Sequence, residues 1–309
     1  MARPFGVVNG VALIALVLIA QTSWGQKLIS RTRIGLGKAD VRVPLTWLQG
    51  QIQQGVTKAG DFGRDMTVDG TDRFYEMHVP PSYDGSKAVP LVLLFHGGGG
   101  YPASIRFESG MDKVSDKHGF IVVYPAGTNK RFLKDRMLEW NDGRPYQDGS
   151  PKEIDDVAFV KTVIDDVSKM FNIDRKRVYA AGFSNGSQFV NRLAQQMTDR
   201  LAAVAKVAGQ RSPDELFGNP SRPISVMQFS GRQDPIAPYL GGAPKNFTPK
   251  FKTELKPVEQ TIQDWVKFDG CPEKPEDTKT VGNAVMTMYG PGKDGTEVVL
   301  WTLGDGGHT

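Results

Sequence analysis

The chain of 309 residues has a single cysteine, Cys271. Exported proteins have access to disulfide chemistry, but one cysteine cannot form a bridge within its own chain. No histidine lies near Cys271 in sequence, and "FDGCPEKP" is rich in turn residues, so the thiol reads as non-catalytic. Histidine is scarce as well, with four in all. Neither sign of charge dominates, with 38 Lys and Arg against 34 Asp and Glu. The formal net charge is +4, too mild to argue for nucleic acid or an anionic membrane surface as a partner. No internal repeat or low-complexity tract occurs, and nothing resembles an added propeller domain. No apolar run reaches the ~20 residues that a membrane helix needs.

What is present begins with a short positive start at Arg3 and an apolar run of ten residues, Val11 to Ala20. Small residues follow at Ser23 and Gly25. Residues 1–25 therefore read as a cleaved export signal, with a secreted or periplasmic product and no stable membrane anchor. Cleavage removes Arg3 and takes the net charge from +4 to +3. Residues 26–60 read as a polar leader with a short helix around "LTWLQGQIQQ". The remainder, 61–309, reads as one catalytic domain.

That remainder opens with "MTVDG" and "RFYEMHVP", which alternate around turn residues as an antiparallel hairpin does. Short apolar runs follow, each closed by glycine or polar residues. They are "PLVLLFHGGGG", "GFIVVYPAG", "RVYAAGFSNG", "LAAVAKVAG", "PISVMQFSG" and "EVVLWTLGDGG". Such near-continuous apolar strands suit a parallel sheet covered on both faces. Between them, 153–171 carries Val157, Val160, Val163, Ile164, Val167, Met170 and Phe171 on one helical face, and 258–268 predicts another helix. The expected class is α/β, with a mostly parallel central sheet, helices on both faces and antiparallel strands at the N-terminal edge.

Catalytic groups of such a sheet gather at the carboxyl ends of its strands. Gly182-Phe183-Ser184-Asn185-Gly186 is G-x-S-x-G, set between an apolar strand and an amphipathic helix, which is the context the motif requires. Ser184 is the expected nucleophile. The oxyanion formed by its attack needs preorganised N–H donors. One is the N–H of Asn185. The other belongs to the loop His96-Gly97-Gly98-Gly99, where Gly98 is favoured and Gly97 and Gly99 are neighbours with a similar claim. A phosphate loop is a poor alternative there, because the G-x-x-x-x-G-K-[ST] spacing is missing. The triad order on this kind of sheet is serine, acid, histidine. Of His78, His96, His118 and His308, only His308 follows Ser184, so His308 is the expected general base and His96 a loop brace. A frayed tail histidine is the alternative for His308. Asp234, in "FSGRQDPIAPY", is the expected acid, with Asp305 a poorly placed rival.

These segments, together with "EWNDGR" and "IDDVAFVKTVIDDV", occur in an order that resembles secreted polyhydroxybutyrate-depolymerase-like and feruloyl-esterase-like α/β-hydrolases, which overlap with carbohydrate esterase family one. The resemblance covers roughly residues 60–309. It implies a cofactor-free, metal-free serine esterase acting on a polyester or on acyl groups of plant polysaccharide, with a polymeric or oligomeric ester as partner and Ser184, Asp234 and His308 as the triad. A prolyl-oligopeptidase-like peptidase and a non-catalytic polymer-binding relative are the alternative functions. Trp140 and Asn141 sit where the family lines or supports its cleft, so pocket wall and core both stay open for them. Asp155 and Asp156 read as helix-capping groups. Three departures stand out. Ser187 replaces a second glycine after the nucleophile, cysteines are missing near "WN", and the chain stops at Thr309 where the family continues. The expectation from the last is a C-terminally truncated sequence with a loosely held His308.

Overall fold

The structure, a computed structural model, describes residues 58–128, 137–144, 153–211, 220–244 and 254–308. The export signal, leader residues 26–57 and the helix around "LTWLQGQIQQ" lie outside the described residues.

The first two strands, β1 (Gly60–Val68) and β2 (Thr71–Val79), form the expected antiparallel hairpin. Asp69 and Gly70 turn it with positive φ of 49° and 73°, the backbone an Asp-Gly pair favours in tight hairpins. Then come β3 (Val89–Phe95), β4 (Ile121–Pro125), β5 (Ile173–Phe183), β6 (Ala203–Val207) and β7 (Ser225–Gly231). The last three are β8 (Asp277–Val281), β9 (Ala284–Tyr289) and β10 (Val298–Leu303). All join one sheet in the order β1-β2-β4-β3-β5-β6-β7-β10-β9-β8. The stretch from β4 to β10 in that order is parallel. It is buried on both faces, which is why β4 and β7 have no exposed residue.

Among the described residues, five helices supply the covers. On one face, α3 (Asp156–Met170), α4 (Asn185–Gln196) and α5 (Val258–Asp269) pack against Leu91, Leu93, Phe95, Val204 and Val226. On the other, α1 (Pro102–Ser109) and α2 (Met111–His118) meet Val92, Leu94, Val122 and Tyr124. Asp155 caps α3 as expected, accepting from the Ala158 N–H at 3.0 Å. Asp156 does something else. It is wholly buried and pairs with buried Arg73 of β2 at 2.6 Å.

One element differs from the sequence reading. An antiparallel hairpin, β8–β9, extends the sheet beyond β10 at the edge opposite β1. Every residue of β8 is exposed, so no apolar pattern announces it. Cys271 follows Gly270, the left-handed cap of α5, and is a buried free thiol. Burial pushes its pKa up to about 11, which keeps it protonated and inert near neutral pH. Among the described residues, no helix is long and apolar enough to cross a membrane.

Candidate active site

Ser184 stands between the end of β5 and the start of α4 with φ 52° and ψ −118°. A non-glycine residue in such a region costs about 1–3 kcal/mol and persists only where its surroundings enforce it. Here they do. The Ser184 N–H is held by Val207 O at 2.9 Å, and the Ser184 carbonyl accepts from Gln188 N at 3.0 Å. A Cβ at Gly182 would run into the backbone of Gly186, and one at Gly186 into the carbonyls of Phe95 and His96. Both glycines of the motif are therefore required by close backbone approach. The third small residue is Gly209, where a Cβ would strike Ser184 O and the Ser187 side chain. That gap is what accommodates Ser187, whose hydroxyl donates to Gly209 O at 3.2 Å.

Two loops meet opposite this turn. Arg232 N donates to Leu303 O at 2.9 Å and Gln233 N to Gly306 O at 3.0 Å, lacing the loop after β7 to the loop after β10. Gly231 and Gly306 touch so closely that a Cβ on Gly231 has no room. The crossing places Asp234 beside His308. Asp234 is buried, and its Oδ1 accepts from Ile236 N and Ala237 N, both at 2.8 Å. His308 Nδ1 lies 2.9 Å from Asp234 Oδ2, and His308 Nε2 lies 2.9 Å from Ser184 Oγ. A carboxylate only accepts, so the proton sits on Nδ1 and Nε2 is left to accept from the serine hydroxyl. The ring also rests against Phe183, with centroids 5.2 Å apart. The rival acid, Asp305, points away and accepts from Asn283 Nδ2 at 3.0 Å. His308 is thus held at three points, by Asp234, Ser184 and Phe183.

The glycine loop after β3 runs alongside. Gly97 lies against Ser184 and Gly98 against Asn185, since an added Cβ would come within 3.3 Å and 3.4 Å of the respective Cβ atoms. Gly99 is removed from the comparison because its N–H donates to Leu138 O at 2.8 Å. His96 braces this loop. Its Nε2 accepts from Gly127 N at 3.1 Å, so its Nδ1 donates to Gly97 O at 2.8 Å. Burial lowers its pKa to about 4, so the ring is neutral at ordinary pH.

Trp140 and Asn141 belong to the support, and the pocket-wall reading is corrected. Trp140 is wholly buried, stacked on Phe189 at 5.0 Å and 5°. Its indole N–H donates to His96 O at 3.0 Å, so it reaches no ligand. Asn141 spends its side chain on Ile154 O at 2.8 Å and on the N–H of Gly143 at 3.2 Å. Its own N–H goes to Asp156 Oδ2 at 2.6 Å, which explains the buried Arg73–Asp156 pair: it anchors the "WN" segment. Sequence reading also missed the Asn185 side chain. Its Oδ1 accepts from Trp140 N at 2.8 Å and its Nδ2 donates to buried Asp142 at 2.7 Å. The Asn185 amide is therefore committed within the fold. Gln210, wholly buried, donates to Ala237 O at 2.9 Å and steadies the acid loop. The signal for Asp142 was its place in "WNDGR"; Gln210 had none.

Among the described residues, one group has metal-ligand spacing, Asp61, His78 and Asp112. Arg106 donates to Asp61 and Asp112, and His78 is shared between Asp61 and Asp116. The carboxylates already have cationic partners, far from Ser184 in the sheet order.

Residues 74–242 match the family described as Esterase PHB depolymerase. The chain belongs to that family. It is accordingly a carboxylic ester hydrolase. The NocK protein of Nocardia uniformis subsp. tsuyamanensis is 30% identical over 82% of this chain and 75% of its own length. Feruloyl esterase B of Piromyces equi is 31% identical over 74% of this chain, and the match spans 41% of the longer Piromyces protein. In structure, the acetyl xylan esterase from Aspergillus awamori superposes with a TM-score of 0.54 over 80% of this chain and 94% of that one, at 17% identity. That likeness gives the fold, an α/β-hydrolase with an antiparallel N-terminal edge.

Proposed function

We propose that the protein is a secreted or periplasmic serine esterase working through a Ser184–His308–Asp234 triad. The observation that carries this is the unbroken run of hydrogen bonds from Asp234 through the His308 ring to Ser184 Oγ, each 2.9 Å long. His308 Nε2 takes the hydroxyl proton as Ser184 Oγ bonds to the ester carbonyl carbon. Asp234 holds the tautomer and stabilises the imidazolium. The N–H groups of Gly98 and Asn185 receive the oxyanion, where one such donor is worth about 10²–10³ in rate. Collapse breaks the ester C–O bond, and Nε2 returns its proton to the departing alcohol. Water then attacks the acyl-enzyme with His308 again as base, releasing the acid and restoring Ser184. No step calls for a cofactor.

The substrate class we propose is a hydroxyalkanoate polyester or an acyl group, feruloyl or acetyl, on plant polysaccharide. Family membership supports the first and the named activity of the Piromyces relative the second. Replacing Ser184 with alanine is expected to lower kcat on 4-nitrophenyl acetate by about 10⁴-fold or more. Full activity of that variant would refute the assignment.

A further inference from the structure

A cavity of ≈ 280 Å³ lies between α5 and β9, away from Ser184. Glu259 and Gln263 of α5 form one wall and Tyr289 of β9 the other, with Arg232 and Asn283 at the rim. Arg232 leaves β7 at the same end of the parallel sheet at which β5 delivers Ser184. Three strand steps separate β5 from β10 and four separate it from β9. At about 4.8 Å per step, the β10 and β9 walls of the cavity stand roughly 14–19 Å from the strand that carries the nucleophile. That is too far to hold an acyl group attached to Ser184, and suited to a distant part of a long substrate.

The chemistry of the walls is specific. Gln263 and Tyr289 both line the cavity, and Tyr289 is half-buried. The Tyr239 hydroxyl is fixed by Thr302 at 2.9 Å, and the Arg232 guanidinium lies 4.8 Å above its ring. Arg232 supplies donors, Glu259 acceptors, and the Gln263 and Asn283 amides both. Glu259 accepts from the Tyr239 hydroxyl at 3.3 Å through one carboxylate oxygen, and a polyester, which offers only acceptors and apolar carbons, brings no donor for the other. Sugar hydroxyls donate and accept, and a sugar's C–H face stacks on an aromatic ring. We infer that this cavity is a glycan subsite holding an unreacted segment of a neutral polysaccharide. The inference rests on the esterase reading and selects acylated polysaccharide as its substrate.

The test compares wild type with Tyr289→Ala and Gln263→Ala on acetylated xylan, polyhydroxybutyrate and 4-nitrophenyl acetate. Gln263 is exposed, so its variant keeps the fold. The expected result is KM on acetylated xylan raised about three- to tenfold with kcat kept, and nitrophenyl acetate kinetics unchanged. Unchanged xylan KM in both variants overturns the inference, as does an equal loss on nitrophenyl acetate or an equal rise on polyhydroxybutyrate. Calorimetric titration of Ser184→Ala with a xylan hexasaccharide gives a readout free of catalysis. Binding weakened by Tyr289→Ala supports the subsite, and no binding overturns it. A wild type inactive on every ester refutes the esterase reading instead, and the titration still decides the subsite.

Discussion

Two histidines follow parallel strands at the same end of the sheet, His96 after β3 and His308 after β10. His96 is buried and commits both ring nitrogens to backbone groups of its own loop and of Gly127. His308 keeps some exposure and bonds two side chains, a carboxylate and a hydroxyl. Desolvation fixes the first ring as neutral and static. The second has a partner to give it a proton and another to stabilise the resulting charge. Residue type and strand position are the same in both places; burial and the polarity of the partners are what set the proposed proton carrier apart from the brace.

The sharpest way to break that contrast is substitution of each ring. His308→Gln is expected to lower kcat on a small ester by about 10⁴-fold, with stability changed by no more than about 1 kcal/mol. Activity near wild type would remove the distinction. Trp140→Ala, which empties the space beneath the His96 loop, is expected to cost about 3–5 kcal/mol in denaturant unfolding. A cost under 1 kcal/mol would mean the loop does not depend on that packing.

A smaller effect lies in pH. The folded pKa of His96, about 4, is below the ordinary 6.5. The unfolded chain therefore takes up the proton first as pH falls. The His96 contribution is complete above about pH 6.5 and is lost between there and pH 4. At 1.36 kcal/mol per unit its size is about 3 kcal/mol at most. His96→Gln should flatten that part of the stability curve, and an unchanged slope would place the ring in contact with solvent.

The positions that could be read from sequence were those whose chemistry requires a particular residue at a particular place. Ser184 needs a tight turn and small neighbours, and Asp234 and His308 need to follow it in order on post-strand loops. The parallel strands were legible because burial on both faces leaves an apolar run. β8 was not, since its residues are all exposed. Trp140 could not be placed because a single aromatic carries no periodicity. The Arg73–Asp156 pair joins residues 83 apart in sequence, and nothing local marks two charges that meet only after the sheet has formed.

The most direct measurement is covalent labelling by a fluorophosphonate, with the modified peptide read by mass spectrometry. The wild-type protein is expected to carry one phosphonyl group on Ser184, and His308→Gln to react at least about 10³-fold more slowly, because the serine loses the group that takes its proton. No adduct on Ser184, or equal labelling rates in the two proteins, would contradict the relay.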